Sequence, residues 1–108
     1  MPKDFVKVAR TDELPQGKMR LVEIGSERIL LANVDGEYYA VSEECTHAYA
    51  LLSQGDLRGE EVECPLHGSA FSVKSGEAMS PPASEALTSY SVRVDGSDIM
   101  IGPERPRS

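Results

Sequence analysis

Apolar and polar residues alternate along much of this chain with a period of two, in short runs separated by turn-forming residues. Phe5-Val6-Lys7-Val8 alternates in this way, and Thr11-Asp12-Glu13-Leu14-Pro15-Gln16-Gly17 then breaks the pattern. Met19 to Ile24 predicts a second strand, Gly25-Ser26 a turn, and the apolar, β-branched run from Arg28 to Val34 a third strand. Asp35-Gly36 is a type I′ hairpin signal, because that turn needs two residues at positive φ, and it leads into Glu37-Tyr38-Tyr39-Ala40-Val41. These first strands are expected to form a meander. Asp56-Leu57-Arg58 and Glu61-Val62-Glu63 flank Gly59-Glu60 as a small hairpin, and Ala70 to Val73 precedes a turn at Lys74-Ser75-Gly76. Leu87 to Val94 predicts a long strand that Asp95-Gly96 turns back into Asp98 to Ile101, with Gly102 to Ser108 expected to fray. No amphipathic helix longer than ~10 residues, no repeat and no low-complexity linker interrupts this all-β antiparallel pattern.

The chemistry is concentrated in two short clips. Cys45-Thr46-His47 and Cys64-Pro65-Leu66-His67 hold both cysteines and both histidines of the 108 residues, so a tightly bound transition metal has no other thiolate or imidazole to use. Each clip supplies one thiolate and one imidazole, and together they imply one four-ligand site. Structural zinc sites usually group like ligands, C-x-x-C in one clip and a pair of histidines in the other. In a Rieske centre, two histidines replace two cysteines on one iron of a 2Fe-2S cluster, which suits clips that alternate Cys and His. A zinc knuckle built from the same four ligands stays open on the spacing alone. A lone histidine is ordinarily a surface or core side chain; two of them beside the only two cysteines make a shared site the stronger reading.

Size and charge narrow the function further. At 11.7 kDa the chain has room for one domain. Met-Pro-Lys-Asp-Phe lacks the basic and apolar regions of a secretory signal, and no apolar run reaches the ~18 residues of a membrane span, so a cytoplasmic protein is expected. Eighteen acidic against eleven basic residues give a formal charge of -7, which repels nucleic acid and suits a partner with a basic docking face. Acidity also serves solubility alone.

With CTH at 45–47, CPLHGSAF at 64–71, the Ser75-Gly76 turn and Pro81-Pro82, the chain resembles the Rieske-type ferredoxins of bacterial aromatic-ring-hydroxylating dioxygenase systems, such as those acting on biphenyl, toluene or naphthalene. The resemblance spans nearly the whole chain. It implies an antiparallel β-sandwich of Rieske type, one domain over 1–108, with a cluster-binding subdomain at about 43–83 inserted between strands of the base. It further implies one [2Fe-2S] Rieske cluster at the tip, with Cys45 and Cys64 on the inner iron and His47 and His67 on the outer, solvent-facing iron. Gly68 would let the backbone approach the cluster, Ser69 would donate to a cluster sulfur, and Pro82 with Pro81 would wall the cluster from water. A Gly-Ser turn and a stiff Pro-Pro loop are the plain alternatives. Two features of respiratory Rieske proteins are missing: their cross-loop disulfide falls on Ala50 and Leu66, and their tyrosine donor on Phe71.

Absences complete the reading. A ring-hydroxylating oxygenase needs a mononuclear iron with two further histidines, and none is left. No G-x-G-x-x-G fingerprint offers a dinucleotide site. The resemblance therefore implies a monomeric electron carrier, not catalytic alone, between an NAD(P)H-dependent ferredoxin reductase and a terminal oxygenase, with no nucleic-acid or membrane partner. The small Rieske-like subunit of a nitrite reductase and a zinc-stabilised interaction module are the alternatives. Ala48, Tyr49, Leu51, Leu52, Pro65, Leu66, Pro81 and Pro82 are apolar for loop residues and could form a docking collar, with Leu51 and Leu66 expected to serve partly as core. Tyr38, Tyr39 and Tyr90 are expected to be sheet-packing residues, and Thr11 to cap a turn.

Overall fold

The structure, a computed structural model, describes residues 5–43, 51–65, 70–79 and 87–104. Nine strands occur among these residues: β1 (Val6–Arg10), β2 (Met19–Ile24), β3 (Glu27–Val34), β4 (Glu37–Ser42), β5 (Asp56–Arg58), β6 (Glu61–Glu63), β7 (Ala70–Ser72), β8 (Ser89–Asp95) and β9 (Asp98–Glu104). They form a six-stranded sheet in the order β1-β9-β8-β4-β3-β2 and a three-stranded sheet in the order β5-β6-β7, and all pairings are antiparallel. The described residues contain no α-helix, only two short 3-10 turns at Thr11–Glu13 and Leu52–Gln54. The fold is therefore all-β and antiparallel, as the alternation predicts.

The turns show how the hairpins are built. Asp35 and Gly36 lie at φ of 53° and 90°, the two positive values a type I′ turn requires, and Val34 pairs with Glu37 across them. The other hairpins use a glycine first: Gly25, Gly59 and Gly96 all have positive φ and are followed by a residue without it. Asp95 pairs with Asp98, so the third of these turns is Gly96-Ser97 and not the expected Asp95-Gly96. The reason is that a two-residue loop with glycine leading needs positive φ at only one position, which Gly96 supplies.

The six-stranded sheet curls until its two edges meet. β2, β3 and β4 form the expected meander, but β1 is not part of it: Val6 pairs with Ile101 and Arg10 with Asp98 of β9. The open edges of β1 and β2 then face each other across a groove lined by Val6, Lys7, Val8, Arg20, Leu21, Val22 and Glu23. β9 runs on to Glu104 instead of fraying after Ile101, because Tyr90 of β8 pairs with Glu104 and the Phe5 ring covers Gly102. A Cβ at Gly102 would stand 2.8 Å from that ring, so glycine is what lets Phe5 pack there.

β3 is buried on both faces, and this places the two cores. Ile29 and Leu31 point into one with Ala9, Leu14, Val22, Ala40, Tyr90, Ile99 and Ile101, inside the curled sheet. Leu30, Ala32 and Val34 point the other way, into a core shared with Val41, Leu52, Val62, Cys64, Phe71, Val73 and Leu87. That second core joins the large sheet to the small one. The chain leaves the large sheet after β4 and rejoins it at β8, the hydrogen-bonded neighbour of β4, so β5 to β7 form an excursion between adjacent strands. Tyr90 is buried, and Tyr38 and Tyr39 are half-buried against opposite cores, which makes all three packing residues as expected. The first 3-10 turn begins after Arg10 rather than being capped by Thr11: the Arg10 backbone N–H donates to the Glu13 carboxylate at 2.9 Å.

Candidate metal centre

Both cysteines and both histidines of the chain lie between β4 and β8 in sequence. β5, β6 and β7 are three residues each and are held in register by Leu57 opposite Val62 and Val62 opposite Phe71. Val62 and Phe71 are fully buried, each contributing about 1.5–3 kcal/mol of hydrophobic stabilisation. Their inward anchoring fixes the end of β6, and the residue that follows β6 is Cys64. Its thiol is 1% exposed, makes no disulfide, and sits in the core beneath the large sheet. β7 is tied back by Met79, whose backbone N–H donates to the Ala70 carbonyl at 2.7 Å, and by a bridge between Phe71 and Ala78.

Of the residues expected at the site, Cys64 alone falls among those described. Cys45, His47, His67, Gly68, Ser69, Pro81 and Pro82 lie outside the described residues, and so do Ala48, Tyr49, Ala50 and Leu66. Among the described residues no group of three or more His, Cys, Asp or Glu side chains could hold a metal ion. A buried, unpaired thiol at the end of an anchored strand suits the protein-covered side of a cluster, since a thiolate there is shielded from water and from exchange.

The collar residues divide differently from expectation. Leu52 is fully buried in the intersheet core, Leu51 is only half-buried and Pro65 is exposed. Leu52 takes the core role foreseen for Leu51 because it begins the second 3-10 turn, which packs its side chain onto Val62 and Phe71. Met79, not singled out by its sequence, is 49% exposed and adds an apolar side chain to the surface. Only its place after the small sheet could have drawn attention to it.

Glu43 is the residue the pattern of the sequence missed. It follows β4, is 0% exposed, and its two carboxylate oxygens accept from Ser53: the backbone N–H at 2.7 Å and the hydroxyl at 2.5 Å. A Glu-Glu pair at 43–44 reads as solvated, and nothing in its spacing marks one member as buried. At the outer side of the small sheet, Lys74 pairs with Glu60 at 3.2 Å and lies 5.7 Å from the Tyr39 ring centre. The Glu60 carboxylate, as hydrogen-bond partner and as charge, pushes the Lys74 ammonium above its ordinary value of 10.5.

The family follows from comparison with known proteins. Residues 4–91 match the family model described as Rieske [2Fe-2S] domain. This chain belongs to the Rieske [2Fe-2S] family. Its cofactor is accordingly a Rieske 2Fe-2S cluster rather than a zinc ion, and the alternating donor set fits it. Within that family, the Rieske chain is 39% identical over 98 residues to the biphenyl dioxygenase ferredoxin subunit of Pseudomonas sp. (strain KKS102), covering 90% of each protein. Its fold matches a chain in the complex of reduced oxygenase and oxidized ferredoxin in carbazole 1,9a-dioxygenase, with a TM-score of 0.90, 31% identity, and 98% of this chain and 99% of that chain covered. A protein provisionally named as the NADPH nitrite reductase small subunit matches with a TM-score of 0.75 and 31% identity, covering 91% of this chain and 97% of that one.

Proposed function

We propose that this Rieske protein is the ferredoxin component of an aromatic-ring-hydroxylating dioxygenase system, carrying one electron from an NAD(P)H-dependent ferredoxin reductase to the terminal oxygenase. The observation that carries the reading is likeness over nearly the whole chain in both sequence and fold: 39% identity to the biphenyl dioxygenase ferredoxin subunit over 90% of each protein, and a TM-score of 0.90 to a chain of the carbazole 1,9a-dioxygenase oxygenase–ferredoxin complex. The nitrite reductase reading has support from its own structural relative, and the lower TM-score of 0.75 places it second.

In this reading Cys45 and Cys64 would hold one iron and His47 and His67 the other, within a cluster-binding subdomain spanning about 43–83. The cluster supplies reversible one-electron chemistry, at a potential raised because neutral imidazoles replace two thiolates. The chain's own residues shape its surroundings. Val62, Phe71 and Leu52 exclude water behind Cys64, while Gly68 would let the backbone approach the cluster and Ser69 would donate to a sulfur. Pro82, with Pro81, would wall the cluster from water. Exposed Pro65 and Met79 offer a small apolar rim of the kind that suits brief redox encounters, and the formal charge of -7 attracts a basic partner face. A carrier of this kind never touches the aromatic substrate, so it needs no substrate pocket. We place it in the cytoplasm as a monomer, with neither nucleic acid nor membrane among its partners.

The test is composition and spectrum of the purified chain. About two irons and two acid-labile sulfides per chain, with the rhombic electron paramagnetic resonance signal of a mixed His/Cys cluster on reduction, are expected. Stoichiometric zinc after anaerobic purification would overturn the reading. Loss of the rhombic signal in His47→Cys or His67→Cys, with iron retained, would assign the imidazoles.

A further inference from the structure

The second 3-10 turn, Leu52–Gln54, lies between the two ligand clips in sequence and touches the chain next to both of them in space. On one side it meets Glu43, two residues before Cys45: the Leu52 N–H donates to the Glu43 carbonyl at 2.9 Å, and Ser53 donates twice to the Glu43 carboxylate. On the other side it meets the end of β6. A Cβ on Gly55 would stand 1.9 Å from the Glu63 carbonyl oxygen and 3.2 Å from the Pro65 ring, the residues on either side of Cys64. Leu52 itself is packed in the same core as Cys64. Glu43 is in turn fixed to the large sheet, its backbone N–H donating to the Arg28 carbonyl at 3.2 Å.

A fully buried carboxylate is costly to desolvate unless charge-assisted hydrogen bonds replace its water. Ser53 supplies two of them, one to each oxygen, so the pair has one geometry in which neither partner is left wanting. An apolar pair would fill the same space without fixing that geometry. We propose that Glu43 is a positioning residue, which through Ser53 locks the segments bearing Cys45–His47 and Cys64–His67 at the separation the cluster needs. This rests on the ligand assignment above and adds to it what holds the two clips in register.

The experiment uses the full, cluster-loaded chain and three variants, Ser53→Ala, Glu43→Gln and Glu43→Ala. Iron release to a chelator is followed well below the thermal midpoint of each, together with the resonance line shape of the reduced cluster. Ser53→Ala deletes one bond to a charged group and is expected to speed release on the order of tenfold. Glu43→Ala is expected to be faster still. Glu43→Gln keeps the shape, an acceptor for the Ser53 N–H and a donor toward its hydroxyl, and is expected to restore slow release and the wild-type line shape. A residue that only filled the core would lower the thermal midpoint of the variants while leaving release and line shape unchanged below it, and that result overturns the proposal. A wild-type chain without iron would overturn the ligand assignment, and this proposal with it; a loaded wild type with an equally retentive Ser53→Ala overturns this proposal alone.

Discussion

Gly55 lies against the backbone of Glu63 so closely that a side chain there has no room: a Cβ would come within 1.9 Å of the Glu63 carbonyl oxygen. The φ of Gly55 is -89°, an ordinary value for any residue, so the requirement for glycine is one of space and not of backbone conformation. Gly55→Ala must push β6 and the 3-10 turn apart and is expected to cost at least about 1–3 kcal/mol. Chemical denaturation of the cluster-loaded protein, read beside iron content, checks it. A variant with wild-type stability and full iron would show that the two segments separate freely.

Phe71 anchors the small sheet. It is fully buried and faces Val62 across the small sheet, in the core that also holds Cys64. Phe71→Ala is expected to destabilise the protein by about 3–5 kcal/mol. Val94→Ala, at a position 45% exposed on β8, should lie within about 0.5 kcal/mol of wild type. Equal effects in urea melts would contradict the intersheet core.

The midpoint potential is expected near the low end of the Rieske range, on the order of -150 mV rather than +300 mV. Phe71 carries no hydroxyl and its ring is enclosed in the apolar core, which leaves Ser69 as the donor expected at the cluster. Removing a donor to a sulfur disfavours the more negative reduced state, so Ser69→Ala should lower the potential further. Protein-film voltammetry decides it, and an unchanged potential would mean that the Ser69 hydroxyl is turned elsewhere.

Tyr39 reports on the junction of the two sheets. Its hydroxyl donates to the Glu37 carboxylate at 2.5 Å, and this bond, with burial second, holds the phenol above its ordinary value of 10.0. A group whose folded value is raised contributes stability that is complete below its unfolded value and is lost as pH climbs through the folded one. The protein should therefore lose this contribution only above about pH 10. Tyrosinate absorbance should show a late-titrating tyrosine that Glu37→Gln brings down; no change in that variant would deny the bond.

Much of the fold could be read from the chain because its signals are local. Asp35-Gly36 specifies its own turn, and β2 occupies the expected Met19–Ile24. Non-local relations left weaker marks. Nothing in Val6–Arg10 says that its partner is β9 rather than β2, because edge pairing is decided by how the sheet curls. The unbroken apolar run Ile29–Ala32 did carry a signal for burial on both faces, since alternation disappears when neither face meets water. The site divides in the same way. The two alternating Cys/His clips, proposed to hold the cluster, announce their chemistry by type and spacing, whereas Glu43 looks like any acidic surface residue and is distinguished only by the donors that Ser53 brings to it.

Rapid mixing shows whether this chain passes its electron to a ring-hydroxylating oxygenase. The cluster-loaded protein, reduced without oxygen, is mixed with an oxidised terminal oxygenase of an aromatic-ring dioxygenase system and followed in the visible spectrum. Reoxidation of the Rieske cluster by one electron per chain is expected, at a rate that falls with ionic strength as a charge of -7 is screened. A fully loaded, reduced protein that leaves the oxygenase oxidised, yet yields its electron to a nitrite reductase, would contradict it.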